Sequence, residues 1–191
     1  MLKEMVQMIN WLRESKIAAV IFAFLRIYLG WNWMTSGWGK ITGGFDASGY
    51  LNNAVANPVN KAGEVIYPTY TAFIEAVALP NVKLFNVLVP WGELLVGLGL
   101  VVGALTATAA FFGLVMNFMF LFAGTISTNP WMVLIGGLIF IAGANAGKFG
   151  VDFYLMPYLK NLINQWKANR TGAGGTAGKG AADEEGNTAH A

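Results

Sequence analysis

Residues 17–36, IAAVIFAFLRIYLGWNWMTS, form an apolar run whose single charge is Arg26, and residues 84–103, LFNVLVPWGELLVGLGLVVG, form a second whose single charge is Glu93. Each has the roughly 20 residues that a helix needs to cross a bilayer core. Two further runs, 105–124 and 131–147, hold no charge, and the last can extend to Phe149. The pattern predicts an all-α membrane protein, a four-transmembrane-helix bundle with spans about 17–36, 84–103, 105–124 and 131–149. An ionisable side chain at such depth costs about 3 kcal/mol on insertion scales and faces a partner or a cavity. Arg26 and Glu93 therefore mark where function is first to be sought.

Composition narrows the chemistry. The length of 191 residues suits one domain, 55% of the residues are apolar, and 12 basic against 10 acidic residues leave a net charge of +2. That balance gives no reason to expect a nucleic-acid partner. The chain has no cysteine, so disulfides, iron–sulfur clusters and thiol or persulfide chemistry are excluded on it. Its one histidine, His190, stands next to the C-terminal residue, so a haem held between intramembrane histidines is excluded too, and no metal site is expected. Any redox cofactor is held without His or Cys ligands, belongs to a partner, or is a diffusible quinone.

Between the first two runs lies a loop, 41–83, whose only basic residues are Lys61 and Lys83. Lys3, Arg13 and Lys16 precede the first run, and Lys148, Lys160, Lys167 and Arg170 follow the fourth. Basic flanks face the cytoplasm, so a multi-pass protein of the cell membrane is expected, with both termini cytoplasmic and 41–83 outside. The N-terminal segment 1–16 precedes a run too long for a signal peptide and broken by Arg26, so an uncleaved first span is expected. Pro68 and Pro80 bracket 68–79, where Tyr70, Phe73, Ile74 and Val77 recur at helical spacing, which predicts a helix on the outer surface. Within 153–169, Pro157 is expected to open a cytoplasmic amphipathic helix with Tyr158, Leu159, Leu162, Ile163 and Trp166 on one face. The tail 170–191, rich in Gly, Ala and Thr, is expected to be disordered.

The candidate site follows from depth and periodicity. Arg26 is nine residues from the inner end of the first span and Glu93 nine from the outer end of the second, so each lies about 14 Å from opposite faces of a core roughly 30 Å thick and the two should meet near the midplane. A structural ion pair and a ligand or proton site are both open. Arg26, Gly30, Trp33, Gly37 and Lys40 recur at steps of four and three and share one face, and Asn86, Pro90, Glu93 and Gly97 do the same on the second span. Glu93, Arg26 and Lys40 are the catalytic candidates. Two cations and one carboxylate would make the cleft net positive, suited to an anion or to a reduced quinone. Trp33, Trp38 and Trp91 either belong to an interfacial aromatic belt or wall the site for a flat ligand. The small-residue patterns at Gly99 and Gly103, Ala109 and Gly113, and Gly143 and Gly147 read as close helix packing, and Asn117 and Asn145 as interhelical hydrogen bonds.

The run LRIYLGWNWMTSGWGKITGGFDASGYL, 25–51, resembles the first-helix signature of the DoxX family through Arg26, Gly30, Gly37 and Lys40, and PWGELLVGLGLVVGALT, 90–106, resembles its second helix through Glu93, Gly97 and Gly103. The tryptophan-rich form with Gly-Gly-Phe-Asp-Ala-Ser-Gly is similar to the DoxD-like branch, named for a subunit of thiosulfate:quinone oxidoreductase. The resemblance covers roughly 17–150. It implies a four-helix membrane protein linked to quinones, sulfur compounds or oxidative stress. The function it implies is that of a membrane subunit of a quinone-linked oxidoreductase, with thiosulfate:quinone oxidoreductase the specific case. The alternative is a non-catalytic membrane scaffold or small-solute pathway protein. Partners implied are the lipid bilayer and a second oxidoreductase subunit, with self-association into a homo-oligomer left open.

Overall fold

A computed structural model describes residues 1–175, with side chains through Arg170. Met1–Asp152 form one compact unit, and the chain from Phe153 onward forms another. The described chain is mostly helical. In order, it contains α1 (Leu2–Glu14), α2 (Lys16–Gly43), α3 (Ser48–Ala56), a two-residue β-hairpin pairing Asn60–Lys61 with Glu64–Val65, and α4 (Pro68–Phe73). α4 continues into a π-helical turn, Ile74–Ala78. There follow α5 (Val82–Val102), α6 (Thr106–Phe122), α7 (Asn129–Ala142) with a 3₁₀ turn Gly143–Asn145, and α8 (Asp152–Gly175).

Among the described residues two helices, α2 and α5, are long and apolar enough to cross a membrane; α6 and the α7 stretch are apolar but shorter. The outer faces of all four carry large apolar side chains, among them Phe24, Tyr28, Leu84, Leu95, Phe112, Phe118, Trp131 and Phe140. In water such faces would be polar, so this pattern is that of helices surrounded by hydrocarbon.

The tightest junction is between α2 and α5, and glycine makes it possible. A Cβ on Gly30 would lie 2.8 Å from Gly97 O, and one on Gly37 would lie 2.5 Å from Leu94 N, so each backbone seats directly against the other. α5 ends at Gly103, which takes the left-handed conformation (φ 70°), and the amides of Gly103 and Ala104 both donate to Gly99 O. A glycine tolerates that conformation without a Cβ penalty and turns the chain at once into α6. The core is formed by Phe22, Leu29, Trp33, Val96, Leu100, Ala110 and Ile139. A second apolar cluster, Ala47, Leu51, Ala54, Ile74 and Ala78, holds α3 against the π-helical turn.

Several boundaries differ from the sequence expectation. α2 runs seven residues past Ser36 to Gly43, because the segment after Ser36 contains no proline and stays in register with α5. Segment 1–16 contains a helix of its own, α1, joined to α2 at Ser15, whose hydroxyl accepts from the amides of Ile17 and Ala18. α6 stops at Phe122 and α7 at Ala142, short of the expected 124 and 149, where Gly124 (φ 86°) and Gly143 (φ 57°) turn the chain. Helix 68–79 is present with Pro68 in its first turn, but its second half is π-helical. α8 begins at Asp152, leaving Pro157 inside the helix, and it continues to Gly175, covering the first six residues of the expected disordered tail. Extending an existing helix needs no new nucleation, so a small-residue stretch can follow it. The remainder of that tail expectation, 176–191, lies outside the described residues.

Candidate functional site

The glycine seam fixes the register of the antiparallel α2–α5 pair, and this register separates the two buried charges. Gly30 sits against Gly97–Val101 and Gly37 against Pro90–Leu94. Arg26 is therefore level with the C-terminal end of α5, and Glu93 with Ser36 and Lys40. The expected Arg26–Glu93 pair does not form. The two spans do not start and stop together: residues 16–25 of α2 extend beyond α5, where Ala18 and Phe22 pack with Ala142 and Ala146.

Arg26, 2% exposed, is held by main chain. Its Nη1 donates to Leu100 O at 2.6 Å and Val101 O at 2.8 Å, and Nη2 donates to Phe149 O at 2.8 Å. The last carbonyls of a helix have no partner within it and carry the negative end of its dipole, so a guanidinium placed there satisfies both needs. Gly103 lies under the group, and a Cβ there would stand 2.7 Å from Arg26 Cζ. Beside it, Asp152 accepts from the amides of Leu105 (2.6 Å) and Thr106 (2.8 Å), the first donors of α6. One cation thus closes the end of α5, and one carboxylate closes the start of α6. Sequence reasoning did not single out Asp152, although it is the only acidic residue between Glu93 and Asp183.

At the other end of the seam the partners are side chains. Glu93, 1% exposed, accepts through one oxygen, Oε2, from Lys40 Nζ at 2.5 Å and from Ser36 Oγ at 2.8 Å. Lys40 Nζ also donates to Ser36 Oγ at 2.8 Å and stands 5.9 Å from the ring centre of Phe45. The stripe Arg26–Gly30–Trp33–Gly37–Lys40 is indeed the buried face of α2, with Lys40 half-buried at its edge. Because Arg26 is engaged elsewhere, Lys40 and Glu93 balance each other, and the expected net positive cleft is not formed.

The three candidate tryptophans are not brought together. Trp33 is buried in the core, whereas Trp38 and Trp91 face outward as large exposed side chains. Trp38 follows Gly37 and so points off the α2–α5 seam. Asn145 makes the expected tertiary bonds, donating to Leu12 O and Ser15 O. Asn117 does not: its Oδ1 is buried without a partner, as is the indole Nε1 of Trp33.

Periodicity gave no signal for an apolar cavity. About 830 Å³ in volume, it lies between α5 and α6, lined by residues such as Leu95, Val96, Ala109, Phe112, Met116 and Phe120. Residues between α2 and α5 cover its other end with Phe45, Tyr50, Leu51, Tyr70 and Ile74. Tyr70 donates its hydroxyl to Met119 O at 2.9 Å, and burial, with Tyr50 nearby, pushes the phenol up to about 12. Burial also raises Tyr50, against the opposing hydrogen bond from Thr125. At the entrance to α3, Ser48 through its hydroxyl and amide, and Asn86 through its side chain, hold the exposed Asp46 carboxyl below its ordinary value. Among the described residues no cluster of His, Cys, Asp and Glu could hold a metal ion.

A family model described as DoxX matches residues 21–126, more than half of the chain. Among curated proteins and among solved structures, no match was found. The matched segment contains Arg26, Lys40, Glu93 and Asn117 together with the glycine seam that sets their register, and on the extent of that match the chain belongs to the DoxX family, a family of membrane proteins often associated with oxidoreductase-related function.

Proposed function

We propose that this chain is the membrane subunit of a quinone-linked oxidoreductase of the DoxD-like kind. In this reading α2, α5, α6 and α7 are its four transmembrane helices, both termini are cytoplasmic, and the region between α2 and α5 is on the outer side of the cell membrane. One observation carries the reading: the 830 Å³ apolar cavity ends at Phe45, beside the Lys40–Glu93 pair. That volume lies within the roughly 300–1,000 Å³ of small-ligand sites, which combine apolar walls with a few polar groups. The cavity walls suit the ring and tail of a quinone arriving from the bilayer. A bound quinone would supply two-electron redox chemistry, with the electrons exchanged with a second subunit.

The chain's own residues bind, orient and handle protons. Both donors to Glu93 converge on Oε2, which leaves Oε1 as the atom able to exchange a proton with a ligand. Lys40 holds the carboxylate in place from the cavity's edge. Arg26 acts at a distance, by fixing the ends of α5 and α6. An inorganic anion such as thiosulfate suits this site less well, since Lys40 is already neutralised by Glu93. The thiosulfate half of a thiosulfate:quinone reaction therefore belongs on the partner subunit.

A photoreactive quinone analogue should label Met116 or Phe120 in the reconstituted protein, and Glu93→Gln should suppress quinone turnover with the partner present. Labelling spread evenly over outward residues such as Phe24 and Leu134 would sink the reading. Cysteines introduced at Ser48 or Lys61 should react with an impermeant reagent from outside; reaction at Ser15 instead would invert the topology. The scaffold reading is favoured by one fact, that both buried charges have hydrogen-bond partners within the chain. Its signature would be undiminished turnover in a folded Lys40→Ala, Glu93→Gln double variant.

A further inference from the structure

Among the described residues four buried side-chain polar atoms have no hydrogen-bond partner: Arg26 Nε and Thr106 Oγ1, near the α5–α6 turn, and Trp33 Nε1 and Asn117 Oδ1, in the core. Trp33 is 2% exposed and Asn117 is 1% exposed, and neither Trp33 Nε1 nor Asn117 Oδ1 has a hydrogen-bond partner. Leaving a buried polar group unmade is costly, and each such group in a native core asks for a reason. The first is only a donor. The second is only an acceptor.

Their placement relates them. A Cβ on Gly113 would lie 3.3 Å from Trp33 Nε1 and 3.2 Å from Val96 Cγ1, so the indole edge meets α6 at Gly113. Asn117 is one turn further along α6, and the Trp33 ring also reaches Phe120, 6.5 Å between centroids. The indole thus spans the stretch of α6 that carries Asn117. α5 runs antiparallel, with Gly92 facing Met116 and Gly99 facing Ala109. Glu93, one turn before Val96, is therefore at the level of Asn117. Val96 and Phe120 neighbour Trp33 and at the same time line the apolar cavity, so the indole stands behind the cavity wall, on the stretch of α6 that carries Asn117. Met116 is the adaptable part of that wall, an unbranched side chain able to swing without moving backbone.

We propose that Trp33 Nε1 and Asn117 Oδ1 form a binding site for a single hydroxyl oxygen, which accepts from the indole and donates to the amide. Water has that chemistry, and so has the phenolic hydroxyl of a reduced quinone. A quinone carbonyl accepts from the indole but has no proton for Oδ1. The site therefore favours the reduced over the oxidised ligand, and it places the hydroxyl level with Glu93. The water form of the site stands by itself; the ligand form rests on the quinone reading above.

The test uses the full chain in nanodiscs with ¹⁵N-labelled indoles, the Trp33 signal being assigned by Trp33→Phe. Tetramethylhydroquinone is titrated against its dimethyl ether, and quinone turnover with the partner is measured on the same preparation. A saturable shift of the Trp33 indole with the hydroquinone, at least about tenfold weaker for the ether and lost in Asn117→Leu, supports a ligand hydroxyl. No ligand shift, but a water–indole cross-peak at Trp33, supports the water form, whether or not turnover is found. A Trp33 indole that contacts neither water nor hydroquinone in the unmodified protein overturns the site, and needs no variant to fold. Turnover that persists with a silent Trp33 overturns the site alone and leaves the quinone reading intact.

Discussion

The two ends of the α2–α5 seam hold one buried charge each, and they are built differently. At the Arg26 end every acceptor is a backbone carbonyl, drawn from two places 49 residues apart in sequence, Leu100 and Phe149. At the Glu93 end the partners, Ser36 and Lys40, are side chains on one turn of one helix, and Lys40 retains contact with its surroundings. Groups tied to backbone cannot turn away without unmaking the fold, whereas side-chain partners can exchange. The first end is architecture. The second is held by partners that can be exchanged without unmaking the fold.

Breaking the Arg26 end should have the largest effect. Arg26→Leu strands three carbonyls and leaves Asp152 beside no cation, and should cost about 3–5 kcal/mol, read by unfolding in mixed micelles. Arg26→Lys should recover little, since one ammonium lacks the planar fork that reaches separate carbonyls. A loss below ~1 kcal/mol for Arg26→Leu would erase the contrast drawn between the ends.

Gly37→Ala tests the seam that sets the register. It pushes a methyl into the backbone at Leu94 and should cost about 1–3 kcal/mol. Glu93→Gln should change stability by only about 1 kcal/mol, because Lys40 at the edge can turn to other partners. Its turnover should nevertheless fall by about 10²-fold or more if Glu93 carries protons. Equal stability losses for Arg26→Leu and Glu93→Gln would show that both ends are structural.

Smaller effects sharpen the picture around the cavity. Leu105 adopts φ 50° without being glycine. Leu105→Gly removes that backbone strain, of order 1 kcal/mol, and should leave thermal stability within about that range of the parent. Tyr70 titrates later in the folded than in the unfolded protein. Its contribution is complete below about pH 10, and is lost as pH rises toward about 12. The decline of unfolding midpoint across that window should be shallower in Tyr70→Phe; an unchanged slope would show that Tyr70 is not the group responsible.

Apolar run length was enough to read α2, α5, α6 and α7 as helices, and four-and-three spacing was enough to read the buried face of α2 from Arg26 to Lys40. The pairing of Arg26 was not legible, because depth was counted from span ends and α2 overshoots α5 by several residues. Helix register is set by glycine contacts between chains of atoms far apart in sequence, which no single run displays. α3 escaped notice since Ser48–Ala56 carries only Leu51 and Ala54 as buried anchors. The cavity escaped because it is made by a lack of close packing between α5 and α6, and a gap has no residue pattern. Trp33 was picked out for its ring face, whereas the structure directs attention to its N–H.

The carbonyl clasp on Arg26 also has a history within each molecule's synthesis. Phe149 lies 123 residues after Arg26, so at roughly 5–20 residues per second the last acceptor emerges about 6–25 s after the arginine. Leu100 and Val101 follow Arg26 by 74 and 75 residues, so the clasp is first half-made and stays incomplete until Phe149 arrives. Anything that slows elongation between Val101 and Phe149 therefore lengthens the time for which the guanidinium is held from one side only.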